Sequence, residues 1–327
     1  MKKIFIMLMA AGVMTGCHVA EDDLGAKPTE ATNALSGLHD GNGLLSVNIG
    51  GWESEMMVTR ATATEASVCY ISFKVFKGSI GTSSWGDAVK SITQETGDTD
   101  FGTMNCELAA GNYTLVATAN QGSGTGSVDI SSPEKATAPQ NLWQKTWSMV
   151  KEVTIVSGQQ NQLSMELPMV SSQLQIMNTG IKDDEASYVR ITIGDASKTA
   201  FGNVIFNPGT GYALGESDGG ADKYTNNADT APDKDGTCTF DLPLWKTTAN
   251  TDATDANKVL LPVIIKVYNA SNNVLYSHTI TNVPFKLGYT TVLTGNLYET
   301  EQTKGSLNGS FTFTTIKSDD ENLSGSF

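Results

Sequence analysis

Four cysteines, three histidines and two arginines are the side chains of this sequence whose types and places could do chemistry. The histidines are poorly set for it. His18 adjoins Cys17, His39 sits among Gly, Asn and Ser, and His278 stands alone in a strand-like run, where a histidine is structural or exposed more often than it is a general base. The cysteines make no zinc spacing. Gly122-Ser123-Gly124-Thr125-Gly126 follows a strand-like run, but no lysine and no amphipathic helix completes a phosphate cradle, so it reads as a turn. Asp233-Lys234-Asp235-Gly236 has part of a calcium loop. The EF-hand pattern needs acids where Ala231 and Leu242 stand, and it fails at both. A looser cation site in that oxygen-rich loop is the alternative. No carboxylate pair stands in a glycosidase-like setting. These residues predict no enzyme, no metal and no cofactor.

Two places carry chemistry of another kind, the modification and cutting of the chain itself. Lys2 and Lys3 precede Ile4–Val13, an apolar run of signal-peptide length and too short to span a bilayer. It ends in Met14-Thr15-Gly16-Cys17. Small residues before a cysteine suit a peptidase with narrow subsites, and a cysteine just after the cut is what bacterial lipidation uses. The stretch resembles a lipobox, with Met14 where leucine is usual. That resemblance implies that Cys17 becomes an acylated first residue held in outer-membrane lipid; an ordinary secretory peptide is the alternative. The second place is Arg60, in Val58-Thr59-Arg60-Ala61-Thr62. A lone arginine between small and β-branched residues, in an expected exposed linker, is accessible to a protease. The bland alternative is a solvent-loop arginine that nothing cuts.

The elements that must position these residues follow from composition and period. Glu21-Asp22-Asp23 resembles the acidic signal that sends Bacteroidetes lipoproteins to the outer face of the outer membrane, and a solvated tether is the alternative. Gly25 to Gly43 has little to bury and reads as a flexible leader. In Leu44 to Ile49, Leu45, Val47 and Ile49 alternate with Ser46 and Asn48, the period of a half-buried strand. The 327 residues carry a net charge of -14, and loss of residues 1–16 with Lys2 and Lys3 leaves 19 basic against 35 acidic residues, net -16. That balance excludes nucleic acid, whose phosphates need a basic face, and favours solubility at an exposed surface. Abundant Thr, Ser, Asn and Gly with many short apolar–polar alternations predict an all-β chain.

Strands are expected at Ala66–Lys77, Phe101–Leu108 and Tyr113–Asn120, with Ser132–Ser148 as a long loop and Val150–Val156 with Gln162–Leu167 as a hairpin. A second group is expected at Gln173–Met177, Tyr188–Ile193, Cys238–Leu244, a Val259–Tyr268/Val274–Ile280 hairpin, Val283–Leu287, Tyr289–Tyr298 and Ser310–Ile316. Asn207–Gly236 and Thr247–Asn257 read as long excursions, a length that usually marks function or mobility. Two tandem antiparallel β-sandwiches result. The expected divisions are 1–16 signal peptide, 17–43 acidic leader, 44–169 first sandwich with 44–60 as a removable first strand, and 170–327 second sandwich. Cys69 and Cys106 fall in one expected domain. They either bridge in an oxidising compartment or stay as two buried thiols.

At this point the chain resembles the fimbrillin family of Bacteroidetes, the subunits of type V pili. The resemblance rests on the lipoprotein head, the leader ending in Thr59-Arg60-Ala61, the segment Leu108–Val116, and Val283–Leu297 with its Thr291-Val292-Leu293-Thr294-Gly295-Asn296 strand. Lys286-Leu287-Gly288-Tyr289 departs from the more frequent basic-Asn pattern before that strand. The family implies transthyretin-like sandwiches, a surface lipoprotein, and cleavage after Arg60 that leaves Ala61 first and removes the strand of Leu45, Val47 and Ile49. A neighbouring subunit would then fill the groove with a donor strand, expected at Ser310–Ile316 with Phe311 and Phe313. Implied partners are other fimbrial subunits, membrane lipid through Cys17, and a host or bacterial receptor. The rival is a surface glycan-binding lipoprotein, with Trp85, Trp143, Trp147 or Trp245 stacking on sugar rings, unless these tryptophans plug the sandwich ends. An uncleaved anchor or a tip adhesin of the same pilus system is a further alternative.

Overall fold

The computed structural model describes residues 37–51, 68–81, 84–122, 126–139, 145–194, 201, 204–214, 223–242, 245, 251–252, 255–299 and 311–317. Among them there is no helix, and the chain is all-β. Leu38–Phe327 make one compact unit, separate from Met1–Gly37, of which only Gly37 is described.

The first sandwich starts with β1 (Asn42–Gly50), where Leu45, Val47 and Ile49 face inward and are buried. β1 lies in the middle of a three-stranded sheet, antiparallel to β4 (Thr103–Ala109) and parallel to β9 (Gln160–Glu166). Val47 stands opposite Met104 on one side and Leu163 on the other. The facing sheet runs β3 (Lys90–Glu95), β2 (Tyr70–Lys77), β5 (Gly111–Asn120), β8 (Thr146–Ile155), all antiparallel. Ile71, Phe73, Val75, Leu115 and Ala117 of this sheet close on β1 from the other layer in one core.

The outer face of β2 and β5 is covered as well. β6 (Asp129–Ser132), β7 (Lys135–Thr137) and β12 (Ile205–Phe206) form a small sheet, and Ile130, Ala136 and Phe206 pack on Phe76 and Val116. β5 is therefore buried on both faces, which explains its apolar run without alternation. Because β12 comes from the second half of the chain, this layer ties the two halves together.

The second sandwich pairs a sheet of order β14 (Thr237–Leu242), β10 (Ser172–Asn178), β18 (Tyr289–Gly295), β19 (Thr312–Lys317) with one of order β13 (Lys223–Ala228), β11 (Ala186–Gly194), β16 (Asp255–Asn269), to which β15 (Thr251–Asp252) and β17 (Val274–Lys286) also pair. It repeats the first sandwich strand for strand. β10 is antiparallel to β14 and parallel to β18, as β1 is to β4 and β9. The order β13-β11-β16-β17 repeats β3-β2-β5-β8, again all antiparallel. Among the strands of the four large sheets, β19 and the short β15 have no counterpart.

Several expectations are corrected. β8 and β9 follow one another through a tight turn but are not a hairpin: β8 pairs with β5, β9 with β1, and they lie in opposite layers. The sequence neighbour loses its place to a strand from the chain's beginning. The expected loop Ser132–Ser148 holds β7 and the start of β8. Asn207–Gly236 holds β13, paired to β11, and Thr247–Asn257 holds β15 and the first residues of β16. Val283–Leu287 is no separate strand, since β17 runs on to Lys286 past a register shift opposite Leu261 and Val263. β3 is an additional strand. Its polar sequence hides it, and only Ile92 packs on the core while Gln94 is buried through its amide, which donates to the carbonyls of Asp100 and Thr103 and accepts from Gly102 N–H.

Candidate functional site

The strand expected to be removable, with Leu45, Val47 and Ile49, is β1, a central strand contributed by the first described residues of the compact unit. Burying three aliphatic side chains of this size stabilises the sandwich by about 1.5–3 kcal/mol each. Two ladders add to that, because every inward and outward turn of the β1 backbone finds a neighbour.

The entry to β1 is clamped more tightly than its composition announces. Leu44 N–H donates to Gln159 O at 2.9 Å, Gly158 N–H to Asn42 O at 2.7 Å, and Ala110 N–H to Gly41 O at 2.9 Å. The Glu107 carboxylate on β4 accepts from His39 N–H (2.7 Å), from Asn42 Nδ2 (2.7 Å) and lies 2.9 Å from His39 Nδ1. The Asn42 amide and the His39 donors hold that carboxyl down at about 2. Gly43 passes so close under the β8–β9 turn that a Cβ there would meet the Val156 carbonyl oxygen and the Ile155 methyl. His39, Asn42 and Gly43 were expected in a flexible leader. Their partners lie far along the chain, at 107 and 155–159, so no local signal marks them. At the exit, Ile49 N–H donates to Gly102 O (2.7 Å) and Leu167 N–H to Gly50 O (2.8 Å).

Cys17, Arg60 and Ala61 lie outside the described residues, as does Trp143. The other arginine, Arg190, sits inside β11, paired on both sides by β13 and β16. Its Nε donates to Asn227 Oδ1 at 2.8 Å and its guanidinium lies 4.9 Å from the Tyr268 ring centre. A protease needs an extended, unpaired segment, so Arg190 is closed to it.

Phe311 and Phe313, the candidate donor residues, lie at and just before β19, which pairs antiparallel with the edge of β18. Phe311 meets His278 edge-on at 5.1 Å and lies over Gly295, while Phe313 is 46% exposed. His278 is buried with Nε2 3.0 Å from Leu297 O, a structural place. Cys106 is buried and Cys69 half-buried, with no disulfide between them in this structure. Cys106 faces the interior of the β4 sheet, whereas Cys69 leads into β2 of the opposite layer. Burial pushes the Cys106 thiol up, and that of Cys238 up to about 12.

Of the two readings of the tryptophans, Trp147 and Trp245 take the packing one. Trp147 and Trp245 are buried in the two cores, and Trp245 Nε1 donates to Ser172 Oγ at 2.9 Å. Trp85 packs edge-on against Phe76. In the loop at Asp233 two backbone carbonyls serve the fold: Asn178 Nδ2 donates to Asp233 O (3.0 Å) and Pro232 O (3.3 Å). Among the described residues no group of three or more His, Cys, Asp or Glu is placed to hold a metal ion.

No protein-family model and no curated protein matches the chain. Among solved structures it is similar to a candidate adhesin from Bacteroides ovatus (14% identity over 83% of this chain and 88% of that one, TM-score 0.41). It is similar also to the tip fimbrial protein of Porphyromonas gingivalis with a C-terminal truncation (11%, 84% and 99%, TM-score 0.43), and to the fimbrial anchor protein of the same organism (12%, 77% and 90%, TM-score 0.41). At such identities and TM-scores the likeness decides nothing about the site, which rests on the register of β1.

Proposed function

We propose that the chain is the precursor of a cell-surface fimbrial subunit, exported as a lipoprotein on Cys17, cut between Arg60 and Ala61, and polymerised by exchange of β1 for a strand of a neighbouring subunit. One observation carries this reading. β1 occupies the centre of its sheet, and in the sequence Arg60 falls between β1 and β2. A single cut there frees a core strand from its covalent link to the rest of the sandwich, leaving it on the N-terminal piece that carries Cys17. Its loss would leave β4 and β9 with facing rows of unpaired N–H and C=O groups and an apolar slot where Leu45, Val47 and Ile49 had been, a template for strand addition. Arg190, paired on both sides within β11, is closed to a protease, which is consistent with a cut at the chain's other arginine. The two sandwiches are taken as the domains at 44–169 and 170–327, β19 with Phe311 and Phe313 as the donor, and adhesion as the assembled fibre's purpose.

The test is the intact mass and N-terminal sequence of the protein from its own cell surface, beside an Arg60→Ala chain. A start at Ala61 with heat-resistant ladders, both lost in Arg60→Ala, is the expected result. An acylated start at Cys17 in the assembled protein would make it an uncleaved anchor or a ligand-binding lipoprotein instead.

A further inference from the structure

The correspondence between the sandwiches leaves one long edge unmatched. β18 carries β19 on its outer side, while among the described residues its counterpart β9 ends its sheet. We propose that the outer edge of β9 is a second strand-docking site, and that its occupant is β19 of another copy of this chain, added antiparallel while β1 stays in place. The site is distinct from the slot that loss of β1 would open and does not depend on cleavage.

Backbone polarity defines the edge. Gln159 O accepts from Leu44, and Leu167 N–H donates to Gly50, so the odd-numbered residues of β9 turn their backbone groups to β1. The groups of Gln160, Gln162, Ser164 and Glu166 therefore turn outward, since successive residues of a strand alternate. One of them is occupied: Lys151 Nζ of β8 donates to Ser164 O at 3.1 Å. A lysine laid across an edge is a known way of blunting it, and its flexible stem can be displaced.

The ground beneath the edge fits the same occupant. Met149 and Val153 of β8 and Leu163 of β9 pack on the first core but are only half-buried. The equivalent ground in the second sandwich, between β17 and β18, is roofed by β19, with Phe311 on His278 and over Gly295. A β19 on β9 would lay Phe311 and Phe313 over Leu163, Val153 and Met149. In its own copy β19 is held through one neighbour strand, with Phe313 exposed, and residues 300–310 span up to roughly 36 Å when extended. Charge permits the encounter. Copies with a net negative charge repel, but of the edge residues Gln160, Gln162, Ser164 and Glu166 only the last is charged, and Thr312–Ile316 carry no charge. The contact joins different surfaces of the two copies, so it propagates head to tail.

Cysteine pairs test it on the Arg60→Ala, Cys69→Ser chain, which keeps β1. One copy carries Gln162→Cys and the other Thr312→Cys, Thr314→Cys or Ile316→Cys, which alternate with Phe311 and Phe313 along β19. A covalent heterodimer is expected from one of the three, with little from Asn105→Cys on β4 as control. With Ser164→Cys as the reporter, Gln162→Pro removes an outward N–H, leaves the β1 ladder intact, and should abolish the heterodimer without lowering the melting temperature. Lys151→Ala should raise the yield. No heterodimer from any position, equal yield from the β4 control, or a yield that both Gln162→Pro and Lys151→Ala leave unchanged overturns the proposal. Ladder formation by the cut chain is read separately and does not enter this result.

Discussion

Leu45 of β1 and Cys106 of β4 face each other across the ladder, and both are buried. The pairing makes the thiol a reporter of strand loss. Burial raises the Cys106 pKa, so in the intact chain little thiolate is present and a maleimide at pH 8 should not label it. Cutting at Arg60 and removing β1 takes Leu45 away and admits water, and labelling should then become rapid. Cys238, buried in the second core and pushed up to about 12, should stay unlabelled in both states and serves as the internal control. Mass spectrometry of the labelled peptides reads the outcome. Equal labelling of Cys106 before and after the cut would show that the slot closes on itself.

Acid should loosen the entry to β1 first. Glu107 is held at about 2 against an ordinary 4.5 by the Asn42 and His39 donors. A carboxyl lowered on folding contributes stability above its unfolded pKa, and that contribution fades as pH falls from about 4.5 through about 2. Amide protection at His39 to Leu44, the exchange rate relative to the intrinsic rate at the same pH, should therefore fall across that window while the centre of β1 stays protected. Glu107→Gln should show the lowered protection already at pH 7, with no further fall across the window. Unchanged exchange in Glu107→Gln would remove the clamp from the account.

Gly43→Ala tests the close passage beneath the β8–β9 turn. Its Cβ would press on the Val156 carbonyl and the Ile155 side chain, both of which help fix β1 and β9. Overpacking of this kind costs about 1–3 kcal/mol. A urea midpoint lower by that amount, with earlier access of arginine-specific protease, is expected. A midpoint equal to the parent's would mean that the turn yields freely.

Asn178 ties the far end of the second sandwich. Its Oδ1 accepts from Gly180 N–H (3.0 Å) and Leu297 N–H (3.1 Å), and its Nδ2 donates to the carbonyls of Gly180, Pro232 and Asp233. Asn178→Ala would strand these buried groups and should cost about 2–4 kcal/mol, seen as a lower melting temperature. Asn178→Asp keeps the two acceptor bonds but turns a carboxylate toward three carbonyls, so its loss should shrink as pH falls and the carboxyl takes up a proton.

What the sequence made legible follows from how each strand is buried. Leu45, Val47 and Ile49 alternate because one face of β1 is inside, and the Val259–Tyr268/Val274–Ile280 hairpin shows because both its strands and its Asn-rich turn are local. The partners of β1 were not legible, since β9 lies more than a hundred residues away and its local neighbour β8 offers an equally good hairpin pattern. β3 buries a glutamine where a pattern reader seeks an aliphatic. The small sheet of β6, β7 and β12 joins two- to four-residue strands from distant segments, too short for any period to appear. The clamp on Glu107 is likewise a matter of tertiary neighbours.

The mixed pairing of β1 also has a mechanical side. A pull on the chain ahead of Asn42 acts along the strand axis, and β1 is flanked by two ladders, Asn42–Asn48 on β4 and Leu44–Gly50 on β9, that together span it. Such a load stretches both rows of hydrogen bonds together, in shear, where a sideways pull would open them one by one. Tension from that end therefore loads the strand in the direction that the two ladders resist together, and a pull across the sheet meets less resistance.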